Sequence, residues 1–196
     1  MRIYEDKEAI GMHSKSAFSL LKALVRLAGI RTGRLRIRME ESRLVLRLYR
    51  LRDLITLRSL WRRQVFLAAS GVRLKPLRSL ISFWRWVHTT FQLLYIIEVE
   101  ERNARRIMGF LGIYNMQLGR ELWVSLVVLD GKDRGRGYGR RALGLLLSSL
   151  QEDRTVNRVC GEVLITNTQS LRLLQGLGFL AYGYNEDRLL LRKTLG

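Results

Sequence analysis

The sequence predicts a mixed α/β (α+β) domain of about seven strands and about four helices, preceded by a short helical extension. Three observations carry this. From Arg43 onward, apolar runs of period two and of period 3.6 alternate along the chain. Hydrophobic residues make up 47% with a single proline, which supplies a core and leaves too few breakers for a linker protein. The most glycine-dense stretch stands between an apolar strand and an apolar helix, where a tight strand-to-helix turn belongs. A length of 196 residues suits one such domain with an appendage.

Residues 14–30 place Ala17, Leu21, Leu24 and Ala28 on one helical face and Lys15, Ser19, Lys22 and Arg26 opposite, a basic amphipathic helix. Charge pattern changes abruptly after Arg34, Arg36 and Arg38, so residues 1–40 read as an extension and 41–196 as the domain. A strand over Arg43–Tyr49 comes next. Helices then start at Asp53, with Leu54, Leu57 and Trp61 on one face, and after Pro76, carrying Leu80, Phe83, Trp84 and Val87. Leu93–Glu100, Arg106–Asn115 and Glu121–Val128 read as a three-strand meander with turns at Asn103 and Gly119. A helix over Arg136–Leu150, a strand over Arg158–Ile165, a short helix over Asn167–Gln175 and strands over Phe179–Tyr184 and Arg188–Leu195 complete the chain.

The formal net charge is +18, with 20 basic and 8 acidic residues in the first hundred positions and 15 and 9 in the rest. Such a field attracts polyanions: phosphorylated cofactors, RNA, a ribosome or an anionic membrane. Cys160 is the single cysteine and there are two histidines, so no metal site is expected. Cys160 reads as a buried strand residue. The longest uncharged apolar runs, Trp86–Ile97 and Ile107–Gly119, fall short of the roughly 18 residues that span a bilayer. Glu5, Asp6 and Glu8 precede a stretch interrupted by Lys22 and Arg26, which is not a signal-peptide layout, and a cytoplasmic location is expected.

Chemistry concentrates at Leu126-Val-Val, Arg134-Gly-Arg-Gly-Tyr-Gly139 and the helix that follows. Gly135, Gly137 and Gly139 lack Cβ, so backbone N–H groups can approach an anion, and the new helix adds unpaired N–H groups and its positive dipole end. Arg134, Arg136 and Arg140 add full charges. No Gly-Lys-Ser/Thr follows, and Arg140 stands where a dinucleotide fingerprint needs its third glycine.

Arg134-Gly-Arg-Gly-Tyr-Gly139 resembles the R/Q-x-x-G-x-G/A pyrophosphate loop of the GNAT acyl-CoA N-acyltransferases. Gly161-Glu-Val-Leu-Ile-Thr-Asn167, Ser170 and Gly176-Leu-Gly-Phe179 resemble that family's E-V-x-x-x-N and L-G-F segments, and the element order from Arg43 to Leu195 is similar too. The two-helix start and the Asn-x-x-Ser spacing are most similar to the branch containing ribosomal-protein N-terminal acetyltransferases. The resemblance implies a twisted, mostly antiparallel sheet and acetyl-CoA as acyl donor, with no metal. It puts the pyrophosphate on the N–H groups of residues 134–139 (Arg134, Gly135, Arg136, Gly137, Tyr138, Gly139), with Arg140 beside them. The pantetheine arm runs between Leu126–Val127–Val128 and the strand before Asn167, and the two strands splay apart. A backbone N–H near Val127 faces the thioester oxygen, where negative charge develops, and Asn167 meets the pantetheine arm while capping the next helix.

Amine acylation requires the acceptor to lose a proton and the leaving thiolate to gain one. The resemblance assigns Glu162 as base. Many members carry a tyrosine acid seven residues after the asparagine, where this chain has Leu174, and Ser170 is the substitute expected. His88 is expected at the surface or against the acceptor, at most one of Trp84 and Trp86 in the core, and Tyr114, Tyr182 and Tyr184 at strand ends that could line a pocket. The function expected is direct acetyl transfer to a primary amine, of a protein N-terminus or a small molecule. The competing expectation is a catalytically reduced binding module docking on RNA, a ribosome or an anionic membrane.

Overall fold

The computed structural model describes residues 35–38, 43–61, 79–101, 104–128 and 135–196. The expected helix over 14–30, the charge boundary near Glu40, Pro76, Arg134 and the side chain of Trp61 lie outside the described residues. In order, the elements are β1 (Leu35–Arg38), β2 (Arg43–Leu48), α1 (Asp53–Trp61), α2 (Leu80–Thr90), β3 (Leu93–Glu101), β4 (Ala104–Gln117), β5 (Glu121–Val128), α3 (Tyr138–Asp153), β6 (Arg158–Leu164), α4 (Thr168–Gln175), β7 (Leu180–Asn185) and β8 (Arg188–Thr194).

The strands form one sheet in the order β1-β2-β3-β4-β5-β6-β8-β7. The seven expected strands are all present. An eighth, β1, comes from the segment read as extension and pairs antiparallel with β2, Leu35 opposite Leu46. Every neighbouring pair is antiparallel except β5–β6.

Period-two alternation divides the side chains between two cores. Leu44 and Leu46, Tyr95 and Ile97, Leu111 and Ile113, Leu122 and Val124, and Val159 and Val163 turn toward α3 and its Leu143, Leu146 and Leu150. The alternate residues Leu94, Ile96 and Phe110 turn the other way, onto Leu54 and Leu57 of α1 and Phe83 and Val87 of α2. Helix α4 lies on the α3 side, with Leu174 buried in that core. Of the apolar residues that α2 carries, Phe83 and Val87, one turn apart, fill the contact, while Leu80 and Trp84 are 38% and 37% exposed.

Close approach of β4 to β5 depends on Gly109. A methyl group there would lie 1.9 Å from the Val127 carbonyl oxygen, with no flexible group to give way. Gly109→Ala is therefore expected to destabilise the protein by about 3 kcal/mol, the upper range for forced overpacking. Urea unfolding would measure this, and an unchanged midpoint would show that β5 accommodates the methyl group.

Candidate active site

The parallel β5–β6 ladder has three registered pairs, Glu121 with Arg158, Leu122 with Val159 and Trp123 with Cys160, and then stops. Beyond it, β5 stays paired to β4 through Val128, and β6 stays paired to β8 through Leu164. Val124–Val128 and Gly161–Leu164 thus diverge, each with one edge unpaired by strand. Backbone groups in strands point alternately to the two edges, so the β6-facing edge of β5 offers N–H donors and carbonyl acceptors into this gap. The splay expected between these strands is present.

Helix α3 starts at the mouth of the gap. Gly135 and Gly137 have φ of 78° and 79°, the left-handed region that favours glycine. Gly137 is the N-cap and supplies no side-chain hydrogen bond, so the first-turn N–H groups have no side-chain acceptor among the described residues. A methyl group at Gly139 would lie 3.2 Å from both Leu126 Cδ2 and Leu173 Cδ1, so the helix start is pressed between the end of β5 and α4. The predicted residues Leu126, Val128 and Gly139 are therefore brought together. Tyr138 is buried in the core and contributes to the mouth only through its backbone.

The arginines divide their work. Arg136 is exposed. Arg140 Nη2 donates to the Gly176 carbonyl oxygen at 2.6 Å, tying α3 to the end of α4. Arg141, which sequence reasoning missed, donates from Nη1 to the Arg136 carbonyl oxygen at 3.2 Å, bracing the turn from its exposed side.

On α4, Asn167 is the N-cap and its Oδ1 accepts from the Ser170 N–H at 3.1 Å. Leu174 is 6% exposed, and a methyl group at Gly161 would sit 3.6 Å from its Cδ1. The position of the family's tyrosine is thus filled by a core leucine. Ser170 lies one turn before it on the same face of α4, half-buried.

Glu162 alternates with Gly161 and Val163, so its side chain emerges on the opposite sheet face, the α1/α2 side. There Arg188 Nη1 lies 3.9 Å from Glu162 Oε1, the two side chains being 23% and 24% exposed. The gap therefore has Glu162 toward one face and Ser170 toward the other. Val127 packs on the α1/α2 core while its neighbour Leu126 packs on the α3 core, so the end of β5 separates the two sides.

The α1 wall is pinned by charge. Arg47 Nη1 and Nη2 donate to Asp53 Oδ2 and Oδ1 at 2.7 and 2.9 Å, and Nη2 donates to Glu98 Oε1 at 2.6 Å. All three residues are at least nine-tenths buried. Burial pulls the Asp53 carboxyl up, but the hydrogen bonds from Arg47 and from the Arg50 N–H, with the Arg47 charge, hold it below its ordinary value. Beside this group the Tyr49 phenol is pushed up to about 12 by burial and by the Asp53 charge.

The remaining sequence candidates are more scattered. His88 is half-buried, with its ring 4.8 Å from that of Trp84 and 5.9 Å from that of Tyr49. Trp86 packs on Phe83 and Phe91. Tyr114 is half-buried, 6.1 Å ring to ring from Trp123, while Tyr184 is 74% exposed. Cys160 is buried, as expected, and burial raises its thiol pKa. Among the described residues there is no metal-ligand cluster and no helix long and apolar enough to cross a membrane.

This combination, a mixed sheet with one short parallel pair and a glycine turn feeding a helix at its divergence, is the architecture of an acyltransferase. A family model for the acetyltransferase (GNAT) domain matches residues 43–180, and the chain belongs to that family. Mycobacterium smegmatis RimJ, solved in complex with CoA-disulfide, is 21% identical with a TM-score of 0.66, covering 82% of this chain and 86% of its own. Ribosomal-protein-S5-alanine acetyltransferase from Vibrio fischeri is 20% identical with a TM-score of 0.60, covering 82% and 96%. Spermidine N-acetyltransferase from Vibrio cholerae, solved with CoA and spermine, is 15% identical with a TM-score of 0.62, covering 78% and 95%. No curated protein matches the chain significantly.

Proposed function

We propose that the protein transfers an acetyl group from acetyl-CoA directly to a primary amine, of a protein N-terminus or a small molecule, without a covalent enzyme intermediate. The observation that carries this reading is the divergence of β5 from β6 beside the uncapped start of α3. The residues fit the donor: N–H groups of Gly135–Gly139 and the α3 dipole suit a pyrophosphate, and the unpaired strand edges suit an amide-bearing arm. Arg134, Arg136 and Arg140 supply positive charge to the pyrophosphate, and Asn167, the N-cap of α4, meets the amide-bearing arm. The donor supplies an activated thioester carbonyl.

Glu162 takes the proton from the acceptor ammonium, directly or through water. An N–H near Val127 stabilises the oxygen of the tetrahedral intermediate. Attack of the freed amine forms the C–N bond and that intermediate, whose collapse breaks the C–S bond; the nitrogen gives its remaining extra proton to solvent, and the thiolate takes one from solvent or from Ser170, which solvent reprotonates. Entry of acceptor and donor from opposite sheet faces matches the placement of Glu162 and Ser170.

Calorimetric titration with acetyl-CoA and CoA at two salt concentrations tests the donor. Saturable one-site binding that survives high salt is expected, and its absence from folded protein would favour docking of the basic surface on RNA, a ribosome or an anionic membrane. Glu162→Gln should lower turnover most near neutral pH, where acceptor amines are mostly protonated. A wild-type pH–rate profile in that variant would remove Glu162 from the mechanism.

A further inference from the structure

The outer side of the α1/α2 layer carries an apolar surface. Leu51 and Ile55, at the start of α1, are 67% and 68% exposed, and Leu80, Ile81 and Trp84 of α2 are exposed as well. Ile55 and Leu80 line one cleft together with Arg58 and Ser59. The Leu51 end is tied to α2 through Tyr49, whose ring lies 5.9 Å from that of His88, itself 4.8 Å from that of Trp84. Two such rows on adjacent helices flank a groove of the kind that a further helix fills with its own ridge of side chains.

We propose that residues 14–30 of this same chain form a helix that lies in this groove and completes the layer. The proposal stands apart from acetyl transfer and does not depend on it. Reach is the first argument. Leu35 pairs antiparallel with Leu46, so the chain arrives at β1 from the Leu48 end of β2, the end that continues through Leu51 into α1. Residues 31–34 span at most about 14 Å, which sets residue 30 beside that junction. On the other sheet face the place is taken, since Leu35 already packs against the α3 core. Shape and polarity are the second argument. Ala17, Leu21, Leu24 and Ala28 make one apolar stripe, leaving Lys15, Lys22 and Arg26 to water. A helix of this length with like charges one turn apart is marginal alone in water, so it needs an apolar surface to hold it.

Hydrogen exchange read by mass spectrometry on the full chain tests this, with a synthetic peptide of residues 14–30 as reference. Amides of 14–30 are expected to exchange at least about 100-fold more slowly in the chain than in the peptide. Ile55→Asp and Leu24→Asp, one on each side of the contact, should each return them to within about threefold of the peptide rate. Lys22→Asp, on the solvent side of the stripe, should leave the protection in place. Ile55 is two-thirds exposed, so aspartate there spares the core, and unchanged exchange in β3–β5 confirms it. Peptide-like rates in the unsubstituted chain, or protection that survives both aspartates, would overturn the proposal. So would three other occupants, each with its own signature. Protection that grows with protein concentration assigns the groove to a second copy. Protection seen only with phosphatidylcholine–phosphatidylglycerol vesicles assigns the stripe to a lipid surface. Faster exchange in residues 62–78, and not in 14–30, on Ile55→Asp assigns the groove to the connection between α1 and α2.

Discussion

Valine in place of Gly137 is expected to abolish acetyl-CoA binding while leaving the domain folded. With φ at 79°, Gly137 occupies a backbone region that costs a branched residue about 1–2 kcal/mol, so the turn would rearrange to escape it. The strain is local, at a half-buried turn whose nearest side-chain neighbour, were a methyl group added, would be Arg141 at 3.5 Å. What changes is the aim of the N–H groups at the start of α3. Hydrogen bonds to a charged acceptor contribute about 1.5–3 kcal/mol each, so re-aiming two of them lowers affinity at least about 100-fold. Gly119→Val is the matched control. It imposes similar strain, at φ 70°, in the turn between β4 and β5, with open space around it. Calorimetry should show binding lost in the first variant and kept in the second, and retention in both would place the phosphates away from this turn.

Arg47→Met is expected to cost about 3–5 kcal/mol, the range for removing one partner of a buried ion pair, because two buried carboxylates lose their shared cation. The pH dependence has a definite sign. Asp53 is held below its ordinary value, so the stability it contributes is fully present above the unfolded aspartate pKa of about 3.9 and is lost as pH falls through the lowered folded value. Thermal unfolding of the unsubstituted protein should therefore lose stability below about pH 4. The deficit of the variant should narrow over the same acid range, since a protonated carboxyl needs no cation. A constant deficit from pH 7 to pH 3 would show that lost packing of the arginine stem, not charge, is responsible.

The strands and helices from Arg43 onward were legible because each alternates or repeats with a clear period and is bounded by glycine or polar turns. Boundaries fell within a few residues; α3, for instance, starts at Tyr138 and not Arg136 because Gly137 is its cap. The glycine turn was legible as a turn, since closely spaced glycines between strand and helix permit a tight connection with positive φ whether or not an anion lies on it. The pairing partner of β1 was not, because four residues with alternating arginines look like a basic linker until a neighbour's hydrogen bonds fix them. The Arg47–Asp53–Glu98 cluster was invisible for a related reason: Glu98 is 51 residues from Arg47, and only the β2–β3 register joins them. Arg141 could have been suspected. Consecutive arginines on a helix point about 100° apart, so Arg140 and Arg141 had to serve different neighbours. Leu174 was read as a missing acid, and its packing against Gly161 adds what sequence did not show, that the position serves the core.

The three registered pairs between β5 and β6 make that junction a seam. On one side lies a five-strand antiparallel unit and on the other the β6-β8-β7 unit, each continuous in its own hydrogen bonding. Across the seam, cohesion rests mainly on α3 and α4 packed over one side, so the two units have the makings of separate cooperative blocks in local opening. A molecule whose backbone-like amides bonded to both diverging edges would act as an interstitial strand, stitching the blocks into one. Amide hydrogen exchange would then slow together in Val124–Val128 and Gly161–Leu164 on saturation with such a ligand, and the melting temperature would climb with its concentration.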